Sequence, residues 1–138
     1  MTASVMRDAA RYGNLEVMKW LCKKQGIPTF PEDAKRVMDA AVLSSNLELV
    51  QWLWEQGFVM DKDMMKHAAG RGNLEMVRWM RGEGCPWTSR TCSAAVQGCH
   101  VEVLRWARKN GCPWTAVIRD EAAETLGYTD DLGNLVDW

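Results

Sequence analysis

The chain is short of most features that mark a catalyst, a membrane protein or a secreted scaffold. Its 138 residues include only two histidines, two tyrosines, two phenylalanines and four prolines. No apolar run approaches the roughly 18 residues that would suggest a membrane span. The opening, Met1-Thr-Ala-Ser-Val-Met-Arg-Asp8, lacks the apolar stretch of a signal peptide and enters a helical pattern at once, so no leader is expected. There is no glycine-rich phosphate loop, and His67 has no companion in sequence that suggests a nucleophile or base; no enzyme activity is expected. The five cysteines are an odd number without the spacing of a disulfide framework, and no Cys-x-x-Cys pair occurs. Cys92, Cys99, His100 and Cys112 can be written as a zinc set, but each also has an ordinary reading as a repeat position. The expectation is five reduced thiols, no metal, no cofactor, and a cytoplasmic or other reducing intracellular compartment.

Strong charge of either sign is missing too. Net charge is −1, with 16 Lys/Arg against 12 Asp/Glu over residues 1–114 and one Arg against six acids over 115–138. A mildly basic body therefore ends in an acidic segment. A basic stripe that could neutralise a row of phosphates is absent, so a nucleic-acid partner is not expected.

What the chain has is repetition. Asn14-Leu-Glu-Val-Met-Lys-Trp20, Asn46-Leu-Glu-Leu-Val-Gln-Trp52, Asn73-Leu-Glu-Met-Val-Arg-Trp79 and His100-Val-Glu-Val-Leu-Arg-Trp106 are variants of one segment, starting 32, 27 and 27 residues apart. Self-similarity at such a period marks a solenoid, in which each unit buries its apolar face against its neighbours. Each unit reads as two short helices and a loop. A pair of small residues lies in the first helix: Ala9-Ala10, Ala41-Val42, Ala68-Ala69, Ala95-Val96 and Ala122-Ala123. Gly13, Ser45, Gly72 and Gly98 are expected to end it, and Asn14, Asn46 and Asn73 to cap the second. Asp61, Thr88 and Thr115 suit the N-caps of later first helices. The first joint, Ile27-Pro-Thr-Phe-Pro-Glu-Asp33, holds two prolines and most of the extra length. The units fall at about 1–29, 30–60, 61–87, 88–114 and 115–138, in one domain.

Ala9-Ala-x-x-Gly-Asn-Leu-Glu-Val-Met-Lys-Trp-Leu21, closed by Gly26, resembles the core of the ankyrin repeat, and the Gly-Cys-Pro-Trp-Thr loops at 84–88 and 111–115 are similar to a divergent, short-repeat branch of that family. The resemblance implies an all-α, ankyrin-like solenoid of about five helix-turn-helix repeats that binds another protein. The Thr-Pro-Leu-His opening of the usual repeat is missing, and a period of 27 instead of about 33 leaves no room for a full hairpin finger.

Tryptophans 20, 52, 79 and 106 share one repeat position and read as core, as do Leu15, Leu47, Leu74 and Val101. Trp87 and Trp114, in the loops, read either as lids on the core edge or as exposed anchors for a partner. Glu16, Glu48, Glu75 and Glu102, each followed three residues later by Lys19, Gln51, Arg78 or Arg105, read as a solvated, self-neutralising face. By the resemblance, ligands meet the outer side of the first helices. Aligned on the small pair, that side carries three rows: Arg7, Asp39, Lys66, Ser93, Asp120; Asp8, Ala40, His67, Ala94, Glu121; and Arg11, Leu43, Gly70, Gln97, Glu124. These rows vary while the second-helix positions do not. The candidate protein-binding residues are Arg7, Asp8, Arg11, Asp39, Lys66, His67, Arg71, Trp87, Gln97, Trp114, Asp120, Glu121 and Glu124. A structural subunit of a larger assembly and a nucleic-acid-binding helical repeat are the alternatives. The acidic end is expected to act as a cap, with Leu132, Leu135 and Trp138 folded back onto the fourth repeat.

The cysteine reading has a direct test. After denaturation without reductant, all five thiols should react and no zinc should be released; stoichiometric metal, or fewer than five thiols, would overturn it.

Overall fold

The computed structural model describes residues 3–127, and all regular structure among them is helical. The helices are α1 (Ala3–Arg11), α2 (Leu15–Gln25), α3 (Pro31–Leu43), α4 (Leu47–Glu55), α5 (Lys62–Gly70), α6 (Leu74–Gly82), α7 (Ser89–Gln97), α8 (Val101–Lys109) and α9 (Ala116–Leu126). No helix among them is long and apolar enough to cross a membrane. The expected cap residues Leu132, Leu135 and Trp138 lie outside the described residues.

Local chemistry sets the helix ends. Asn14, Asn46 and Asn73 accept hydrogen bonds from the backbone N–H of Val17, Leu49 and Met76, and Asp61 and Thr115 do the same for Met64 and Ile118. Thr88 caps one residue earlier, accepting from Arg90. Each bond satisfies a donor that the first helical turn leaves without a partner. α3 starts differently: Phe30 makes no side-chain cap, and Pro31 at the first position needs none for its missing N–H.

Each odd helix packs on the even helix that follows it (α1–α2, α3–α4, α5–α6, α7–α8), and the odd helices pack on one another in order, α1–α3–α5–α7–α9. The small residues make this row possible, since Ala10, Ala41, Ala68, Ala69, Ala95 and Ala122 are fully buried. One continuous core follows, in which Met18 and Leu21, then Leu49, Val50 and Leu53, Met76, Val77 and Met80, and Val103, Leu104 and Ala107 recur as the buried seam of the even helices.

That seam corrects two expectations. Leu15, Leu47, Leu74 and Val101 are half-buried, not buried, because the first residue of an even helix sits at the rim of the stack. Of the tryptophans, 52, 79 and 106 are half-buried against the core, but Trp20 is 51% exposed. α1 and α2 have neighbouring helices on one side only. Val17 and Trp20 therefore keep surfaces open that their equivalents in later repeats cover.

Side chains also tie each repeat to the one before it. Asn46 donates from Nδ2 to the Gly13 carbonyl at 2.7 Å, and Asn73 donates to Ser45 at 3.3 Å, while the Oδ1 of each caps its own helix. His100 occupies the same position without capping: its Nε2–H donates to the Gly70 carbonyl at 3.0 Å. Cys85 and Cys112 donate from sulfur to the carbonyls of Asp61 and Thr88, at 3.3 and 3.5 Å, a repeated bond linking successive loops.

The turn between odd and even helix uses a left-handed residue, and Gly98 directly follows α7 as expected without being that residue. Gly13, Ser45 and Gly72 have φ of 67°, 62° and 73°, but in the fourth repeat Cys99, at φ 58°, takes that position while Gly98 is right-handed at φ −85°. Cys99 immediately precedes His100 and so aligns with Gly72. The imidazole of His100 leaves no choice of neighbours, since a Cβ on Gly72 would lie 2.3 Å from its Nδ1 and one on Gly98 2.5 Å from its Cδ2.

Left-handed backbone costs an L-residue about 1–2 kcal/mol. Cys99→Gly should therefore raise stability by about 1 kcal/mol in urea or thermal melts. Gly72→Ala adds both that strain and a clash with His100, and should lower stability by about 2 kcal/mol or more. Equal and small effects from the two would refute the proposed geometry of this joint.

Candidate functional site

The rows on the odd helices are coupled on a diagonal. His67 Nδ1–H donates to Asp39 Oδ1 at 2.6 Å, and the Ser93 hydroxyl donates to Glu121 Oε2 at 3.3 Å; each pair lies 28 residues apart. The same diagonal carries Arg7 to Ala40 and Lys66 to Ala94 in the other two joints. Alanine offers no acceptor, and no ion pair involves Lys66 among the described residues. Arg7 is half-buried, with its Nε covered and without a hydrogen-bond partner.

The α5–α7 joint also holds a depression of about 420 Å³ whose floor is built from Gly70, Ala94 and Gly98, with Leu43, Lys66, His67, Arg71 and Gln97 around it. Gly70 and Ala94 leave the space open, whereas Gly98 is kept free of a side chain by the His100 ring. The equivalents of Gly70 in other repeats are Arg11, Leu43, Gln97 and Glu124, and those of Ala94 include Asp8, His67 and Glu121. Two smaller depressions adjoin it and share Lys66: one runs along Arg90, Ser93 and Gln97, the other between Lys62, Asp63 and the first turn of α7 at Thr88 and Ser89.

Of the candidate residues, Lys66, His67, Arg71 and Gln97 thus converge on one groove. Asp39 adjoins it through His67. Asp8 and Arg11 are exposed on α1, and Asp120 and Glu124 are exposed on α9 beside the half-buried Glu121. Trp87 and Trp114 lie elsewhere. Both are half-buried against the core, and an arginine from the preceding even helix stacks on each ring: Arg81 at 4.7 Å on Trp87, Arg108 at 4.3 Å on Trp114. Trp87 also meets Trp106 edge-on at 5.8 Å, and Arg81 donates to the Cys85 carbonyl. Packing of this kind makes them lids on the core edge; neither lines the groove.

Sequence reasoning passed over Lys62 and Arg90, which lie one turn before the aligned rows. It also passed over the clamp of Lys35 on Asp61 and Asp63, at 3.4 and 3.5 Å. These two carboxylates hydrogen-bond to the Lys35 ammonium and hold its pKa above the ordinary lysine value. Of the four expected surface pairs, Glu16–Lys19 forms at 4.0 Å and Glu102–Arg105 at 3.6 Å, both solvated and worth little, while Glu75–Arg78 and Glu48–Gln51 make no such contact.

The cysteines are all thiols. Cys92 donates to the Cys112 sulfur in the core, and this bond together with burial pushes the Cys92 thiol up, while the bond it receives moves Cys112 down. Among the described residues, no group of three or more His, Cys, Asp or Glu is placed to hold a metal ion. No protein family matches this sequence, and no curated protein is recognisably similar to it.

Burial, helped by the Asp61 carboxylate, pushes the Cys85 thiol up to about 12 from 9.0. As pH rises past about 9 the unfolded chain loses this proton while the folded chain keeps it, so stability falls toward pH 12 by at most about 1.4 kcal/mol per pH unit. Cys85→Ala should be less stable at neutral pH yet show a shallower fall in melting temperature between pH 9 and 11; an unchanged slope would refute the assignment.

Proposed function

We propose that this chain is an ankyrin-like α-solenoid of about five short repeats acting as a non-catalytic module that binds another protein along the outer side of its odd helices. The observation that carries this reading is the contrast between the two sides. The even helices repeat one buried seam, whereas the odd helices present rows whose chemistry changes at every step, with a groove at one joint. The nearest-neighbour packing of odd on odd helix supports the solenoid part. A framework held by caps and cross-repeat bonds loses little conformational freedom on binding, so polar rows can confer specificity at small entropic cost.

The test compares two faces of the same fold. The full chain carrying alanine at Arg11, Lys66, Gln97 and Glu124 is set against one carrying alanine at Glu48, Glu75, Arg78 and Glu102, with affinity capture and mass spectrometry as the readout. Proteins retained by the wild type and by the even-helix variant, but lost from the odd-helix variant, are the expected result. Loss confined to the even-helix variant, or no selective capture by the wild type, would overturn the reading.

A further inference from the structure

The groove at the α5–α7 joint has a sign. Lys62, Lys66, Arg71 and Arg90 surround it and its two extensions, and none of them has an ion pair among the described residues. Of the nearby acids, Asp61 and Asp63 share the one ammonium of Lys35, at 3.4 and 3.5 Å, and Asp39 accepts a hydrogen bond from His67 at 2.6 Å. The α7 first turn, which borders the Lys62 extension, contains no acidic residue, so its exposed N–H groups add to the positive potential. Four cations are thus gathered around the groove and its extensions against a single lining carboxylate, Asp63, which is itself paired with Lys35.

Its length is also defined. α5 has 9 residues and so is about 13 Å long, with Lys62 and Lys66 one turn apart on one face. Arg90, Ser93, Ala94 and Gln97 fall on one face of α7 by the same spacing. An extended peptide advances about 3.3 Å per residue, so about four residues span the groove. Beyond it the sign reverses: α9, packed on α7, carries Asp120, Glu121 and Glu124. A polyanion with a charge every few ångströms would meet repulsion there, whereas a short acidic segment ends before it.

Resting on the protein-binding reading above, we propose that this groove takes a short acidic peptide segment of the partner, with Lys66 at its centre and Lys62, Arg71 and Arg90 around it pairing with the carboxylates that face the groove. Gln97 supplies a neutral hydrogen-bonding group at one edge, and Leu43 an apolar one.

The full chain is titrated, in low salt, against a labelled peptide with four consecutive glutamates, the same peptide with glutamines, and a short oligothymidylate, read by fluorescence anisotropy. Saturable, salt-sensitive binding of the glutamate peptide alone is expected. Lys66→Glu with Arg90→Glu should weaken it about tenfold or more, while Arg78→Glu with Lys109→Glu, on the even helices, should leave it within about twofold. Circular dichroism melts establish that each variant is folded. If the groove double variant does not melt cooperatively, Lys66→Met, which keeps most of the side-chain stem, replaces it, with a loss of about two- to fivefold expected. No saturable binding, equal binding of the glutamine peptide, oligothymidylate bound as tightly, equal losses in both double variants, or Lys66→Met without effect would each overturn the proposal. Failure here with odd-face capture intact would remove the acidic-peptide chemistry and leave the protein-binding reading standing.

Discussion

A single side chain at the start of each even helix organises the stack. Asparagine can accept through one atom and donate through another, so Asn46 and Asn73 finish their own helices and grip the turn of the repeat before. The buried alanines set how closely the odd helices approach, but apolar contact alone does not fix their register along the axis. Directed bonds do, with the thiols of Cys85 and Cys112 acting at the loop end and the amides at the turn end. Lys35 on Asp61 and Asp63, and Trp54 donating to Glu83 at 3.3 Å, add polar ties across the second and third repeats.

Much of this framework was legible before any coordinates. Asparagine three residues ahead of an apolar position, threonine after Pro-Trp and a pair of small residues in each first helix are short-range signals, and the caps fall where they indicate. The buried seam was harder to place. The even helices carry apolar residues on so much of their surface that Leu47 and Leu49 compete for the core, and only the position of the neighbouring helix decides for Leu49. His100 could not be read correctly from its own repeat: its partners are Gly70, Gly72 and Gly98, and the histidine bridges where asparagine would cap. Aligning rows on the small pair singled out Lys66, His67 and Gln97 but stopped one turn short of Lys62 and Arg90.

The groove arises from departures within an otherwise regular pattern. Glycine at 70 and alanine at 94 remove bulk at one joint, while lysine at 66 retains a charge that the side chain of its diagonal neighbour cannot pair. In the joints on either side, Asp39–His67 and Ser93–Glu121 fill the corresponding space. A regular helical array thus acquires a distinct depression by omission, through small and unpaired residues at positions where other repeats carry larger ones.

The ties described here are all short in sequence. The Cys85 bond spans 24 residues, the Asp39–His67 bond 28 and the Asn46 bond 33. Closing such loops costs modest chain entropy, and each joint carries at least one bond of its own: Asn46 to Gly13, Asn73 to Ser45, His100 to Gly70 and Ser93 to Glu121. None of these ties has to wait for an encounter between distant parts of the chain, and contacts of such short separation favour rapid folding.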